Sequence, residues 1–259
     1  MPICYKNFPI TVGGVDLYAN SATLNEGVGL ESAESYGIVG SRAVFNTSIP
    51  EGSLSIESYI KSSITPLLDL VGSNSQTLDV TFGKYTLPKP AIISSIGINV
   101  AVGSPPTLSM EIVYFGTVTT GAAPAPVAPT AAPANIEGVT LGGFDKIGVS
   151  GSIQNITYNL TQNYESHTLL GQVKSAPIVI FQDGSSALNL ECREMMPSGL
   201  TQEDKSCLAN PNPYSVSILG CGGVDYGTIN ISSGYLQDRS ESIDTASPPS
   251  ASVSIIEYL

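Results

Sequence analysis

The chain consists of two similar halves, which flank a segment rich in alanine and proline. The segment is Thr119–Asn135, with the sequence TTGAAPAPVAPTAAPAN. It has no charge and no period of 2 or 3.6 residues, which is typical of a semi-rigid, extended linker. The 259 residues are therefore predicted to divide into a first β domain at 1–118, a linker at 119–142 and a second β domain at 143–259.

Matching blocks follow one another in the same order in both halves. An offset of 134 residues places LESAESYGIVGSRAVF, from Leu30, on YESHTLLGQVKSAPIV, from Tyr164, and SLSIES on ALNLEC. The ISS triplets at Ile93 and Ile231 match at an offset of 138. The halves then close alike, with SPPTLSMEIVYF and SPPSASVSIIEYL. One such match arises easily by chance, whereas an ordered series indicates a duplication.

Short runs of apolar or alternating residues, bounded by Gly, Pro, Ser and Asn, are typical of strands. They occur at Thr77–Phe82, Ile96–Val102, Leu108–Tyr114, Ser215–Leu219, Thr228–Ile231 and Ala251–Tyr258. This pattern predicts a mainly β protein made of two similar β-sandwich or barrel domains, each with one short helix.

Two hairpins are predicted from pairs of strand-like runs separated by a glycine-containing turn. The pairs are Ala43–Ile49 with Leu54–Ser58, around Pro50–Ser53, and Ala176–Phe181 with Leu188–Cys192, around Gln182–Ser185.

Two segments have helical features. Apolar residues recur at helical spacing over Glu57–Val71, and Gly72 supplies a stop. Pro66 is expected either to kink this helix or to begin a second one after Thr65. A shorter helix is expected within Gly199–Asn210.

The charge of the chain limits its partners. The net charge is −12, and only 12% of residues are charged. The ten basic residues are scattered singly, which argues against a site that grips nucleic-acid phosphates. The same balance is compatible with DNA that slides past without sticking, since like charges repel. A charge-poor surface also suits packing between subunits.

The sequence shows no targeting or membrane-spanning segment. The start, Met1–Tyr5, lacks a basic region followed by an apolar one, and no apolar run is long enough to cross a bilayer as a helix. The cysteines, Cys4, Cys192, Cys207 and Cys221, are widely spaced, so a reduced, cytosolic origin is the simplest interpretation. A Cys192–Cys207 or Cys207–Cys221 disulfide remains an alternative under oxidising conditions.

No catalytic, cofactor-binding or metal-binding residue is predicted, and the chain is not expected to be an enzyme. The single histidine, His167, has no partner cluster, and the cysteines lack zinc-ligand spacing. Neither a G-x-S-x-G elbow nor a phosphate-binding P-loop occurs.

Six acidic residues are candidates for the general acid and base that glycosidases need. The candidates are Glu31, Glu34, Glu165, Asp238, Glu241 and Asp244. Glu31 and Glu165 occupy equivalent places in different halves, so they meet only if the halves pack face to face. Solvated or lumen-facing charges are the favoured interpretation.

The first half resembles the tail tube proteins of long-tailed bacteriophages, and the second half does so more loosely. The resemblance rests on the order of the blocks: an early strand pair, a P-x-G turn at Pro50 and Gly52, the SIESY strand at Ser55–Tyr59, a helix and late strands. Gly37 and the closing strand of each half add to it.

The resemblance implies a virion structural protein, made in the host cytoplasm and residing in the tail. Tube subunits join strands into rings with a closed β-barrel wall, and most such rings are six-fold. A duplicated chain would build this ring from three copies. Stacked rings would contact one another through polar loops, here Leu17–Ser35 and Gln237–Ser247, and would contact other tail proteins and any sheath. DNA would pass through the lumen without specific binding, and no membrane insertion is expected.

Two alternatives stay open. A capsid decoration or other virion surface protein would be equally β-rich and poor in charge, but would bind an existing lattice. A carbohydrate-binding adhesin module would present exposed aromatics in a shallow site, which the absence of Trp disfavours.

Overall fold

The structure, a computed structural model, describes residues 10–17, 19–27, 30–34, 42–46, 50–72, 77–122, 134–144, 152–167, 177–193, 211–242 and 250–259. These residues are mainly β, which confirms the predicted fold class. They contain a single helix, and no described helix has the length and apolar character needed to span a bilayer.

The described part of the first half contains ten strands and the helix. In chain order they are β1 Ile10–Val12, β2 Val15–Leu17, β3 Ala19–Gly27, β4 Leu30–Glu34, β5 Arg42–Asn46, β6 Glu51–Tyr59, α1 Thr65–Gly72, β7 Val80–Phe82, β8 Tyr85–Thr86, β9 Ala91–Ala101 and β10 Thr107–Phe115.

The described residues after Phe115 contain nine further strands. They are β11 Thr119–Thr120, β12 Ile136–Gly142, β13 Ser152–Thr161, β14 Tyr164–His167, β15 Ile178–Phe181, β16 Ser185–Arg193, β17 Asn212–Gly220, β18 Val224–Ser242 and β19 Ser250–Tyr258.

One large antiparallel sheet runs through both halves. Its ten strands lie in the order β12-β17-β18-β19-β16-β13-β9-β10-β6-β3. A smaller sheet has the order β11-β8-β7-β1-β2, and two hairpins, β4–β5 and β14–β15, form two-stranded sheets of their own. The linker prediction extended too far, because Ile136–Gly142 is a strand paired with β17.

The core lies on one face of the large sheet, because apolar residues alternate with polar ones along its strands. The buried set includes Leu54, Ile56, Ile96, Ile98, Met110, Ile112, Ile156, Leu188, Leu190, Val253 and Ile255. Leu67 and Val71 of α1 and Ile10, Val12 and Val80 of the small sheet belong to the same cluster. Each fully buried Leu or Ile stabilises the fold by about 1.5–3 kcal/mol.

The two halves repeat the same strand pairing. β3 pairs with β6 as β13 pairs with β16, at an offset of 134 residues, and the bulge between Ala19 and Ser21 recurs between Ile153 and Asn155. β9 pairs with β10 as β18 pairs with β19, at an offset of 143. The bulged ladder places Ile93 at the position of Leu236. The sequence match of Ile93 with Ile231 is therefore wrong in register.

In both predicted hairpins, the two strands pair with other strands and not with each other. β5 pairs with β4, whereas β6 pairs with β3 and β10. Likewise β15 pairs with β14, whereas β16 pairs with β13 and β19. The strands next to each other in sequence are separated because the short hairpins leave the plane of the large sheet. Gly52 lies within β6 and is buried, not in a turn.

The helix begins eight residues later than predicted. Glu57–Tyr59 continue β6, and α1 starts at Thr65, with Pro66 in its first turn, where a missing N–H is tolerated. The predicted loop at Leu17–Ser35 contains β3 and β4 instead, and residues 237–242 of the second predicted loop belong to β18. The predicted helix at Gly199–Asn210 lies outside the described residues.

A buried carboxylate holds the bend of β18. Glu257 of β19 is buried, and its Oε1 accepts hydrogen bonds from the backbone N–H groups of Ser232 and Ser233, each at 2.9 Å. Its Oε2 accepts from the Ser186 hydroxyl at 3.4 Å. These bonds satisfy backbone donors at the point where β18 passes from β17 to β19.

We expect Glu257→Ala to lower the free energy of unfolding by about 2 kcal/mol, because two backbone N–H groups lose a charged acceptor. Glu257→Gln keeps one acceptor oxygen and should lose less. Urea unfolding of the monomer measures both. Glu137→Ala, which removes an exposed carboxylate bonded to the Gly222 N–H at 3.1 Å, is the control, with a change below about 1 kcal/mol. Equal losses in all three variants would contradict the assigned role of Glu257.

Candidate assembly surfaces

The halves join edge to edge through β9 and β13. The antiparallel ladder runs from Ser95 opposite Thr161 to Ala101 opposite Asn155. Within it, Ile96 lies opposite Leu160, and both side chains are buried. β9 belongs to the first half and β13 to the second, so the contact uses two different edges, as in a head-to-tail interface.

Each half contributes four neighbouring strands to the large sheet, β3-β6-β10-β9 and β13-β16-β19-β18, and we call each set a four-strand unit. The edges of the two units that face away from the β9–β13 joint are equivalent to the two edges within it. β3, the counterpart of β13, ends the large sheet and pairs only with β6 among the described strands. Residues 235–242 of β18, the counterpart of β9, pair with β19 on one side and with no described strand on the other. Unpaired edges expose backbone N–H and C=O groups that can template pairing with another chain.

These edges carry opposite charges at matching positions. The offsets place Arg239 at the position of Ile96 and Glu26 at that of Leu160. Arg239 is half-buried, and Glu26 is exposed, with its Oε1 3.4 Å from the backbone N–H of Val118. A buried apolar pair in the internal joint thus corresponds to a cation and an anion on the outer edges.

The face of the large sheet opposite the core is polar and poor in cations. It presents Ser, Thr and Asn side chains, among them Ser21, Thr23, Ser55, Ser109, Asn99, Thr157, Asn159, Asn189, Ser252, Ser254 and Ser240. Several bond to one another or to the backbone, for example Ser240 to Ser252 at 2.7 Å. Exposed carboxylates on this face include Glu51, Glu57, Glu111, Glu191 and Asp238, and its exposed cations include Arg193.

The β14–β15 hairpin covers one end of this polar face. Val179 packs with Ile92, Val113 and Phe115 in a small buried cluster of its own. The Tyr164 ring meets Phe115 edge-on at 6.1 Å between centroids. The hairpin of the second half thus seals apolar residues on the strands of the first half.

Tyr164 is anchored to the strand beneath it. Its hydroxyl donates to Glu51 Oε1 at 3.2 Å. Burial, and then the nearby negative charge of Glu51, raise the pKa of Tyr164 to about 12. The phenol therefore stays neutral and keeps donating at all physiological pH values.

The equivalent apolar residues of the second half are uncovered. Tyr235, Ile256 and Tyr258, at the positions of Ile92, Val113 and Phe115 (offset 143), form what we call the aromatic patch. Tyr258 is 69% exposed and Tyr235 36% exposed, and their ring centroids lie 6.5 Å apart.

The acidic candidates that the structure describes lie on three different strands. Glu31 and Glu34 lie on β4, Glu165 on β14 and Asp238 and Glu241 on β18, while Asp244 lies outside the described residues. The Glu165 carboxylate accepts from the Gln182 amide at 2.8 Å and lies 3.6 Å from His167 Nε2.

The described thiols and possible metal ligands are likewise dispersed. Cys192 is buried and Cys221 exposed, and both are free thiols, while Cys4 and Cys207 lie outside the described residues. The described parts of the chain hold no group of three or more His, Cys, Asp or Glu placed to bind a metal ion.

Sequence reasoning missed the residues that define these surfaces. The sequence pattern places Arg239 and Glu26 in predicted polar loops and gives no local sign of the aromatic patch. The internal repeat contains the signal that could have found them. Once the offsets between the halves are known, Arg239, Glu26 and the patch residues each lie at the position of a buried apolar residue in the other half. A scan against models of known protein families and a search of curated proteins both found no match to this chain.

Proposed function

We propose that this protein is a tail tube subunit, which polymerises into stacked rings that form a conduit for DNA in a virion tail. The observation that carries the proposal is the head-to-tail pairing of the two halves through β9 and β13, which leaves copies of the same two edges unpaired at β18 and β3. Repeating one heterologous contact closes a ring or extends a filament.

The proposed contact between copies has a defined register. Applying the two offsets to the β9–β13 ladder pairs Asp238 with Gly27, Arg239 with Glu26, Ser240 with Asn25 and Ser242 with Thr23 of the next copy. Three copies supply six four-strand units, the number in most tube rings of the family that the sequence resembles. Closure then satisfies every strand edge of the barrel.

The polar face suits the inside of such a barrel. Its Ser, Thr and Asn side chains are neutral and hydrated, and its carboxylates outnumber its cations, so DNA phosphates find little to bind. Glu57 and Glu191 occupy equivalent positions in the two halves and would form a ring of six carboxylates. Partners would be further rings, other tail proteins and any sheath, in a virion tail made in the host cytoplasm.

Negative-stain electron microscopy at rising protein concentration, alongside solution mass, tests the proposal. We expect hollow tubes, or rings with a six-fold outline and three times the 26.9 kDa chain mass. Assembly should weaken little with added salt if backbone pairing dominates it.

A monomer that forms no ring or tube at any concentration, and that instead binds preformed capsids, would replace this proposal with the capsid decoration alternative. A monomer that binds glycans on an array would favour the adhesin alternative.

A further inference from the structure

The aromatic patch lies where the other half has a covered cluster. Ile92, Val113 and Phe115 are buried beneath the β14–β15 hairpin, with Ile92 fully buried and Phe115 3% exposed. At the same positions of the second half, Tyr258 is 69% exposed. Large aromatics left open to water on a charge-poor sheet mark an interaction surface.

We infer that the aromatic patch is the docking site for the β4–β5 hairpin of a second copy of this chain. β4–β5 is the counterpart of β14–β15, because it connects β3 to β6 as β14–β15 connects β13 to β16. The two ladders match at an offset of 134 between β4 and β14 and of 135 between β5 and β15. These offsets place Leu30 at the position of Tyr164 and Val44 at that of Val179.

The same neighbour supplies both contacts, which links this inference to the proposed ring and makes it rest on that function. In the internal joint, β13 pairs with the edge of β9, and the hairpin that follows β13 covers the face of β9 and β10. A copy whose β3 pairs with β18 brings its own β4–β5 hairpin over the corresponding part of β18 and β19. Each chain would thus cap its neighbour's patch around the ring.

The inference explains why two of the three patch residues are tyrosines. Tyr235 and Tyr258 replace Ile92 and Phe115, and a tyrosine tolerates water in the free subunit better than an aliphatic side chain because its hydroxyl remains hydrated. The internal cluster never meets water in the folded chain, so it uses Ile, Val and Phe.

Cross-linking tests the contact. In a background where Cys4, Cys207 and Cys221 are replaced by Ser, cysteines are introduced as the pair Leu30→Cys and Tyr258→Cys, and assembled protein is treated with short bismaleimides. The pair Phe115→Cys and Tyr164→Cys calibrates the linker, since these positions touch within one chain. The linker that closes the calibrating pair should join Leu30→Cys to Tyr258→Cys between chains, giving dimers and trimers on a denaturing gel.

A mismatched cysteine pair and a substitution of Tyr258 complete the test. Leu30→Cys with Tyr59→Cys, another exposed position on the sheet, should not link chains. Tyr258→Ser should raise the concentration needed for assembly more than about tenfold, because burial of the ring is lost, while Tyr59→Ser should leave it unchanged.

The outcomes separate this inference from the proposed function. The docking site would be overturned, and the tube function left standing, if Tyr258→Ser protein forms rings normally and assembled Leu30→Cys/Tyr258→Cys protein gives no link between chains. Unmodified protein that never assembles would overturn both. Open oligomers that give the cross-link between positions 30 and 258 but form no rings would support the docking site and overturn ring closure.

Discussion

The variant Arg239→Glu is expected to remain monomeric under conditions where the unmodified protein assembles. In the proposed register Arg239 lies opposite Glu26 of the next copy, so the substitution places two carboxylates directly across the joint. Like charges opposite one another at an interface cost several kcal/mol, and about 1.4 kcal/mol corresponds to a factor of ten in affinity. The concentration needed for assembly should therefore rise more than about a hundredfold, as measured by sedimentation velocity and electron microscopy.

Reversing both charges should restore assembly. Glu26→Arg alone places two cations together and should also block it, whereas the double variant Arg239→Glu with Glu26→Arg recreates the pair with exchanged sides. Arg193→Glu is the matched control, because Arg193 lies on β16 within the sheet, away from both outer edges. Two single variants that assemble like the unmodified chain, or a double variant that stays dispersed, would show that the joint does not use this register.

Substituting Gly52 by alanine is expected to destabilise the fold by about 3 kcal/mol. A Cβ at this position would lie 2.3 Å from both Cζ and Oη of Tyr114 and 2.5 Å from the backbone oxygen of Asn25. Tyr114 is fully buried and donates to that same oxygen at 2.8 Å, so the ring has no free path to move. Overpacking costs about 1–3 kcal/mol, and the lost hydrogen bond adds about 1 kcal/mol.

Gly138→Ala is the control for the conformational effect of removing a glycine from a strand. Gly138 lies in β12, and an added Cβ there meets no atom within 4 Å. Urea unfolding should place this variant within about 0.5 kcal/mol of the unmodified protein. If Gly52→Ala and Gly138→Ala have the same free energy of unfolding, the packing of Tyr114 over Gly52 does not limit the stability of this half.

The repeat explains why Gly52 is needed only once. Its counterpart is Ser186, and the counterpart of Tyr114 is Glu257. In the second half the shorter glutamate leaves room for a side chain at 186, and the Ser186 hydroxyl donates to Glu257 at 3.4 Å. The same packing position is therefore occupied by a glycine beneath a tyrosine in the first half and by a serine beneath a glutamate in the second.

Periodicity located most late strands but not their partners. The runs at Ile96–Val102, Leu108–Tyr114, Ser215–Leu219 and Ala251–Tyr258 all fall on observed strands. Alternation reports which residues face a core, and this depends only on neighbours in sequence. Partner choice depends on contacts far along the chain, so the prediction paired adjacent runs as hairpins and missed β3 with β6 and β13 with β16.

The polar strands were missed for a related reason. β3 and the outer part of β18 are rich in Ser, Asn, Asp and Glu, and by composition they were assigned to loops. They are strands because the neighbours β6 and β19 supply half of their backbone hydrogen bonds. Their polar character fits edges that stay exposed until another strand covers them.

By itself the sequence determined the mainly β class, the duplication and the acidic, charge-poor character, because each is a property of composition or of local pattern. Only the tertiary structure decided that the two halves share one sheet, that they meet head to tail, and that the same two edges and one uncovered aromatic patch remain outside. Those facts depend on register across distant strands. A shift of one residue moves every side chain to the opposite face of the sheet, and a wrong register match, such as that of Ile93 with Ile231, leaves no trace in local sequence.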